Sequence, residues 1–159
     1  MLRTKFFITL FLFLSFITYS QTKKEAKKHK IKSSYSTSTE NGKTIFESKK
    51  TFDSKGQTIE ETNYTKDGGV KDSHKTKYNS EGDEIEDEQY DANNKLTEKK
   101  ITKYNMLGEK SEEIFYDAEG KLTKKNTYTY DKQGLKTERK TVDAEGKLIS
   151  VKKHTYIFK

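Results

Sequence analysis

The sequence of 159 residues contains no cysteine, no proline and no tryptophan. Without cysteine, an exported form of the chain has no disulfide bonds, so it depends on hydrogen-bonded strand ladders and apolar burial for stability. Proline interrupts strand ladders, and its absence agrees with a chain that is mostly paired strand. Charged residues make up 36% of the sequence and hydrophobic residues only 30%. We therefore expect a thin core.

The first twenty residues differ from the rest of the chain. Arg3 and Lys5 precede an almost wholly apolar run at residues 6–17, and small residues stand at the two positions that a signal peptidase reads before Gln21. The run is short for a transmembrane helix. We predict a signal peptide at residues 1–20, with an uncleaved N-terminal anchor as the alternative. The mature chain is then exported to the periplasm, the cell surface or the medium, without a transmembrane span.

A basic segment follows the predicted signal peptide. Six lysines surround a single acidic residue, Glu25, in residues 22–32. Such a run is typical of a solvated arm, and we predict that residues 21–37 have no regular structure. The alternative is that the lysines contact phosphate or anionic lipid.

Turn residues recur through the rest of the chain at spacings that alternate between 14 and 12. They are Gly42, Gly56, Gly68, Gly82, Asn94, Gly108, Gly120, Gly134 and Gly146. Glycine and asparagine are the residues that most readily adopt a left-handed backbone conformation. A 26-residue unit repeated in this way indicates a repeat architecture, which we assign to residues 38–159.

Each repeat corner predicts a β-hairpin. An Asp or Asn followed three residues later by Gly suits a type I turn with a G1 bulge, and the segments between corners have the length and composition of strands. Nine corners in series predict an all-β fold, an antiparallel meander of about ten strands. Because neither face carries enough apolar residues for a sandwich, we expect a single twisted or curled sheet.

The hairpin geometry places the aromatic residue of each corner opposite the residue two positions after the turn residue. One set of corners pairs apolar groups: Tyr64 with Val70, Tyr90 with Leu96, Tyr116 with Leu122, and Val142 with Leu148. The other set pairs an aromatic with a polar group: Phe52 with Thr58, Tyr78 with Glu84, Tyr104 with Lys110, and Tyr130 with Lys136. Because both spacings are even, strand alternation predicts that all these residues share one face.

The acidic run at residues 81–88 lies between lysine-rich strands. In the predicted register Glu86 opposes Lys100 and Asp87 opposes Lys99. We expect exposed ion pairs that influence register and solubility. Loose calcium binding is the alternative, but the run lacks the ligand spacing of a calcium loop.

The corner element Tyr-Asp-x-x-Gly-x-Leu, most complete at residues 116–122, resembles the YD repeat of the Rhs family of exported bacterial proteins. The resemblance covers roughly residues 38–159. It implies a β-rich, wound sheet, and in that family large members enclose a C-terminal toxin or have been linked with carbohydrate binding. The repeats of this chain differ from those of the family in lacking its arginines and tryptophans.

The sequence contains no catalytic or metal-binding motif. His29, His74 and His154 lie far apart and have no second ligand at metal spacing. The corner aspartates recur with glycine, as turn capping requires. We therefore expect no enzymatic activity, no cofactor, no metal ion and no nucleic-acid partner.

The tyrosine rows are the remaining candidates for a binding site. A tyrosine ring stacks on a sugar or a partner surface, and Tyr78, Tyr104 and Tyr130 lie opposite polar residues, which leaves them available. The alternative is that the rings pack on one another in place of a core.

We predict an exported, non-enzymatic β-repeat protein of the bacterial envelope that serves as a binding or structural module. One alternative is a binder of glycans or polyanions that uses the tyrosine rows and lysines, with a glycan or an envelope component as the partner. Another is an accessory or immunity-type relative of an Rhs toxin system.

Overall fold

The computed structural model describes residues 19–159, which form one helix and ten strands. The helix is α1 (Tyr19–His29). The strands are β1 (Ser33–Glu40), β2 (Lys43–Phe52), β3 (Thr58–Tyr64), β4 (Val70–Tyr78), β5 (Glu84–Asp91), β6 (Leu96–Tyr104), β7 (Lys110–Asp117), β8 (Leu122–Tyr130), β9 (Lys136–Asp143) and β10 (Leu148–Lys153). Most of the predicted signal peptide, residues 1–18, lies outside the described residues.

The ten strands form one open sheet in which each strand pairs with the next along the chain. The order is β1 to β10 without a crossover, and every pairing is antiparallel. This arrangement confirms the predicted all-β meander.

The corners have the predicted conformation. All nine turn residues have a positive φ, from +59° at Asn94 to +93° at Gly82. At the corner that contains Gly56, Asp53 Oδ1 accepts hydrogen bonds from the backbone nitrogens of Lys55 and Gln57, both at 2.8 Å. Equivalent bonds recur at later corners, so the corner Asp and Asn side chains are turn caps.

The eight predicted pairs at the corners are confirmed, but the register changes immediately after each of them. Beyond the pair Tyr90 and Leu96, for example, the next pair is Gln89 with Glu98, so Thr97 is an extra residue in a second bulge. The extra residue is always the third after the turn residue. It shifts the rest of each hairpin by one position.

The shift corrects two predictions of charge pairing. Glu86 opposes Ile101 instead of Lys100, and Asp87 opposes Lys100 instead of Lys99. Ion pairs form nonetheless in this region, because Lys99 Nζ lies 3.0 Å from a Glu86 carboxylate oxygen.

The second bulge also separates the two rows of corner residues. Cross-strand partners share a face and residues alternate along a strand, so each extra residue exchanges odd and even numbers. The prediction that all the even-numbered aromatic residues share one face is therefore wrong. Face 1 carries Phe52, Tyr78, Tyr104 and Tyr130, and face 2 carries Tyr64, Tyr90, Tyr116 and Val142.

The core is thin, as expected from the composition. Among the described residues, the only buried hydrophobic side chains are Ala26 and Phe52. More of the buried side chains are polar: Gln57, Ser73, Thr102, Asn126 and Thr141. Stability therefore depends on strand ladders and polar networks more than on apolar burial.

The basic segment is ordered, contrary to the prediction for residues 21–37. It forms most of α1, and β1 begins at Ser33. Ala26 is 2% exposed, and the helix backbone passes so close to Gly56 that a Cβ there would lie 2.4 Å from Lys23 O. The backbone nitrogen of Phe52 donates to Lys32 O at 2.9 Å. The segment folds because Gly56 has no side chain and lets the helix backbone at Lys23 and Lys27 approach the corner closely, while the lysine side chains remain exposed.

A candidate ligand groove on face 1

The three tyrosines predicted as a binding row, Tyr78, Tyr104 and Tyr130, each tie the end of their own strand to the start of the strand before it, and we call them the clamp tyrosines. Each side chain is half-buried, and its hydroxyl donates to the carbonyl of the residue that begins the preceding strand. The bonds are Tyr78 to Thr58 O at 2.8 Å, Tyr104 to Glu84 O at 2.9 Å and Tyr130 to Lys110 O at 2.8 Å. Burial, assisted by nearby carboxylates, raises the pKa of both Tyr104 and Tyr130. Their hydroxyl groups thus have a structural role, and binding through these rings stays a prediction.

A groove of about 530 Å³ lies on face 1 at the N-terminal end of the sheet. The strands β2 to β5 are neighbours in the sheet, and alternate residues of each strand point to face 1, so their side chains meet in the groove. The lining residues are Lys23, Lys50, Gln57, Thr58, Glu61, Asn63, His74, Thr76, Tyr78, Gly82, Glu84 and Asp87. Of the predicted row, only Tyr78 reaches this groove.

The walls of the groove carry charges of both signs. His74 stands between two carboxylates, with Nδ1 3.7 Å from Asp87 Oδ1 and Nε2 4.0 Å from Asp72 Oδ1. On the neighbouring strands, Lys50 Nζ lies 3.4 Å from Glu61 Oε1. The groove thus presents both hydrogen-bond donors and acceptors to a ligand.

Gln57 contributes a buried acceptor at the end of the groove near α1. The residue is 3% exposed, and its Nε2 donates to Gly82 O at 2.9 Å. This bond orients the side-chain amide. Oε1 is buried and has no hydrogen-bond partner among the described residues. A buried acceptor without a donor is costly, so a ligand that supplies a donor is favoured at this point.

A second polar cluster on face 1 surrounds Glu113. Its carboxylate accepts hydrogen bonds from Lys110 Nζ at 2.7 Å, Asn126 Nδ2 at 3.0 Å and the Tyr128 hydroxyl. Burial alone raises the pKa of a carboxyl group, but these three donors lower the pKa of Glu113 to about 2. Burial and the bond to Glu113 raise the pKa of Tyr128 to about 12. Thr141 extends the network by donating to Asn126 Oδ1 at 2.8 Å. Since its members satisfy one another, the cluster stabilises the sheet.

The described part of the chain contains no group of three or more His, Asp or Glu side chains arranged to hold a metal ion. Within the same residues, no helix is long and apolar enough to cross a membrane.

Sequence reasoning missed the groove, although it singled out Tyr78 and His74 individually. The second bulge is the reason: once it is counted, Glu61 and Asn63 share a face with His74 and Tyr78. At the eight later corners the extra residue follows the turn residue by three positions, but no residue type marks it. Gln57 belongs to the groove only because the chain folds a helix and two corners around it.

No protein-family model and no curated protein matches the chain. Among solved structures, the chain is similar to TarM, at 16% identity and a TM-score of 0.32, over 82% of this chain and 23% of TarM. A protein of unknown function from Bacteroides fragilis is 12% identical with a TM-score of 0.44, over 80% of this chain and 96% of that one. The TcdB2-TccC3-TEV structure is 12% identical with a TM-score of 0.25, over 67% of this chain and 8% of that one.

Proposed function

We propose that the protein is an exported, non-enzymatic β-repeat module of the bacterial envelope that binds a glycan in the groove on face 1. Export is inferred from the signal-like residues 1–20, and a relation to the YD repeats of the Rhs family is inferred from the Tyr-Asp-x-x-Gly-x-Leu corners.

The observation that carries the proposal is the polar groove with the buried Gln57 acceptor. A sugar hydroxyl both donates and accepts hydrogen bonds, so it satisfies Gln57 Oε1 and pairs equally well with Glu61 or His74. Binding sites commonly fix a ligand through a small number of well-placed polar groups. An apolar ligand would leave these polar groups without hydrogen-bond partners. An ionic ligand would face like charges as well as opposite charges on the groove walls.

The clamp tyrosines extend the same surface beyond the groove. Equivalent tyrosines are two strands apart, which corresponds to about 10 Å. Since Tyr78 lines the groove and Tyr104 and Tyr130 follow in register on face 1, a glycan chain that leaves the groove along the sheet meets a periodic row of half-buried rings.

A glycan array probed with residues 21–159 tests the proposal, followed by calorimetric titration of any bound glycan. His74→Ala should weaken binding about tenfold, because it removes a group from the groove wall. His154→Ala makes the same change outside the groove and should leave the affinity unaltered.

Two results would contradict the proposal. One is an array without any bound glycan, and the other is a glycan whose affinity falls equally in the two variants. Thermal melts of both variants show whether a loss of binding is merely a loss of folding.

A further inference from the structure

A second depression lies beside the groove, between α1 and two corners of the sheet. We call it the lysine hollow, and its volume is about 480 Å³. The residues that line it are Lys23, Lys24, Lys27, Lys55, Gln57, Ser80, Glu81 and Gly82. It adjoins the groove, because Lys23, Gln57 and Gly82 line both.

The lysines of the hollow project from a fixed backbone. α1 is docked through the buried Ala26 and the close approach to Gly56, which holds the helix lysines beside the corner that carries Lys55. Lys55 Nζ donates to Ser80 O at 2.8 Å, and this bond ties the corner of β2 and β3 to the corner of β4 and β5. Folding thus brings together basic groups that are up to 32 residues apart in the sequence.

The hollow has an excess of positive charge. Among the described residues that line it, four are lysines and Glu81 is the single carboxylate, which also accepts a hydrogen bond from Ser80 Oγ at 2.7 Å. Within the described residues, Lys23, Lys24 and Lys27 have no carboxylate within 4.0 Å. A concave surface with one sign of charge concentrates counter-ions of the other sign.

We propose that the lysine hollow binds a phosphate or sulfate group of an anionic ligand. Such a group offers several oxygen acceptors that lysine ammonium groups reach from different directions, whereas a single carboxylate offers two. Two sources share this chemistry: the headgroup of an anionic lipid, and a soluble phosphorylated or sulfated compound. The proposal does not depend on glycan binding in the groove, since Lys24, Lys27 and Lys55 line the hollow and not the groove.

Calorimetric titration of residues 21–159 with inorganic tripolyphosphate is the first test. The double variant Lys24→Gln/Lys27→Gln should bind about tenfold more weakly, because each lysine near a polyanion contributes a several-fold gain in affinity. The double variant Lys28→Gln/Lys32→Gln removes the same charge from neighbouring exposed positions outside the hollow and should change the affinity less than about twofold.

Gly56→Ala provides a second test that removes no charge. The added Cβ forces α1 away from the corner and disperses the lysines, so the affinity for tripolyphosphate should fall as in the Lys24→Gln/Lys27→Gln variant. Gly108→Ala is the matched control, since Gly108 has the same φ of +76° and open space around it.

Sedimentation with vesicles distinguishes the two sources. Retention on phosphatidylglycerol vesicles but not on phosphatidylcholine vesicles, lost in the Lys24→Gln/Lys27→Gln variant, identifies a lipid headgroup. Tripolyphosphate binding without retention identifies a soluble ligand. The proposal is overturned if tripolyphosphate does not bind, if the two lysine double variants lose affinity equally, or if the Gly56→Ala variant binds as tightly as the unaltered chain.

Discussion

Adding a single methyl group at Gly56, by the substitution Gly56→Ala, should separate α1 from the sheet. A Cβ at this residue would lie 2.4 Å from Lys23 O and 2.6 Å from Lys27 N. Both contacts are with backbone atoms of α1, so no side-chain rotation relieves them. Gly56→Ala therefore requires α1 to move as a body.

The size of the effect follows from two contributions. An alanine at a φ of +76° costs about 1 to 2 kcal/mol because of the left-handed backbone conformation, and Gly108→Ala carries the same cost. Moving α1 also exposes Ala26 and weakens the hydrogen bond from the Phe52 nitrogen to Lys32 O. We expect these losses to add about 1 to 3 kcal/mol to the destabilisation in Gly56→Ala alone.

Limited trypsin digestion and urea titration of the two variants measure the difference. Trypsin should cleave after Lys24, Lys27 and Lys28 much faster in Gly56→Ala than in Gly108→Ala, because undocking exposes the helix backbone. The urea midpoint should also be lower in Gly56→Ala. Equal cleavage rates and equal midpoints in the two variants would refute the docking of α1 on this corner.

Two further predictions concern stability. Tyr104→Phe removes the hydrogen bond to Glu84 O and should cost about 0.5 to 1.5 kcal/mol in urea titration, and a loss no greater than that of Tyr116→Phe, on face 2, would refute the clamp. The pKa of Glu113 falls from 4.5 to about 2 on folding, so the unfolded chain takes up the proton first and stability decreases as the pH falls through this range. Thermal melts between pH 5 and pH 2 should show a weaker pH dependence for Glu113→Gln, and an unchanged dependence would exclude the contribution of the Lys110 network.

The corners were predictable because they depend on local backbone requirements. A residue with positive φ must follow the corner Asp or Asn by three positions, and few residue types tolerate that conformation. Gly120 and Asp117 illustrate this, since the glycine nitrogen donates to the Asp117 carbonyl and the Asp side chain caps the same turn. The positions of the ten strands follow directly from these corners.

The faces were not predictable from local patterns. A bulge residue such as Thr97 needs no special φ, so it is occupied by residues that also suit a regular strand. One uncounted residue per hairpin reverses the alternation of faces along the rest of each hairpin. Counting it separates Tyr104 from Tyr116, which local patterns had placed together.

The helix was missed because its stability depends on tertiary contact. Residues 22–32 have the composition of a solvated segment, and nothing in their sequence indicates that the backbone at Lys23 and Lys27 packs against Gly56. Packing against a corner overrides the local preference of a lysine-rich segment, as often occurs for short helices.

The position of the groove and the lysine hollow follows from how the repeat ends. In the interior, each clamp tyrosine reaches the preceding hairpin, and Tyr156 continues the row by donating to Lys136 O at 2.8 Å. Phe52 occupies the first position of that row, has no hydroxyl and is buried. At this end of the sheet α1 precedes β1, where the repeat would otherwise continue with another hairpin. A repeat presents similar side chains at equivalent positions, so a unique pocket is favoured where the repeat is broken. The helix provides that break, which is why Lys23 lines both depressions.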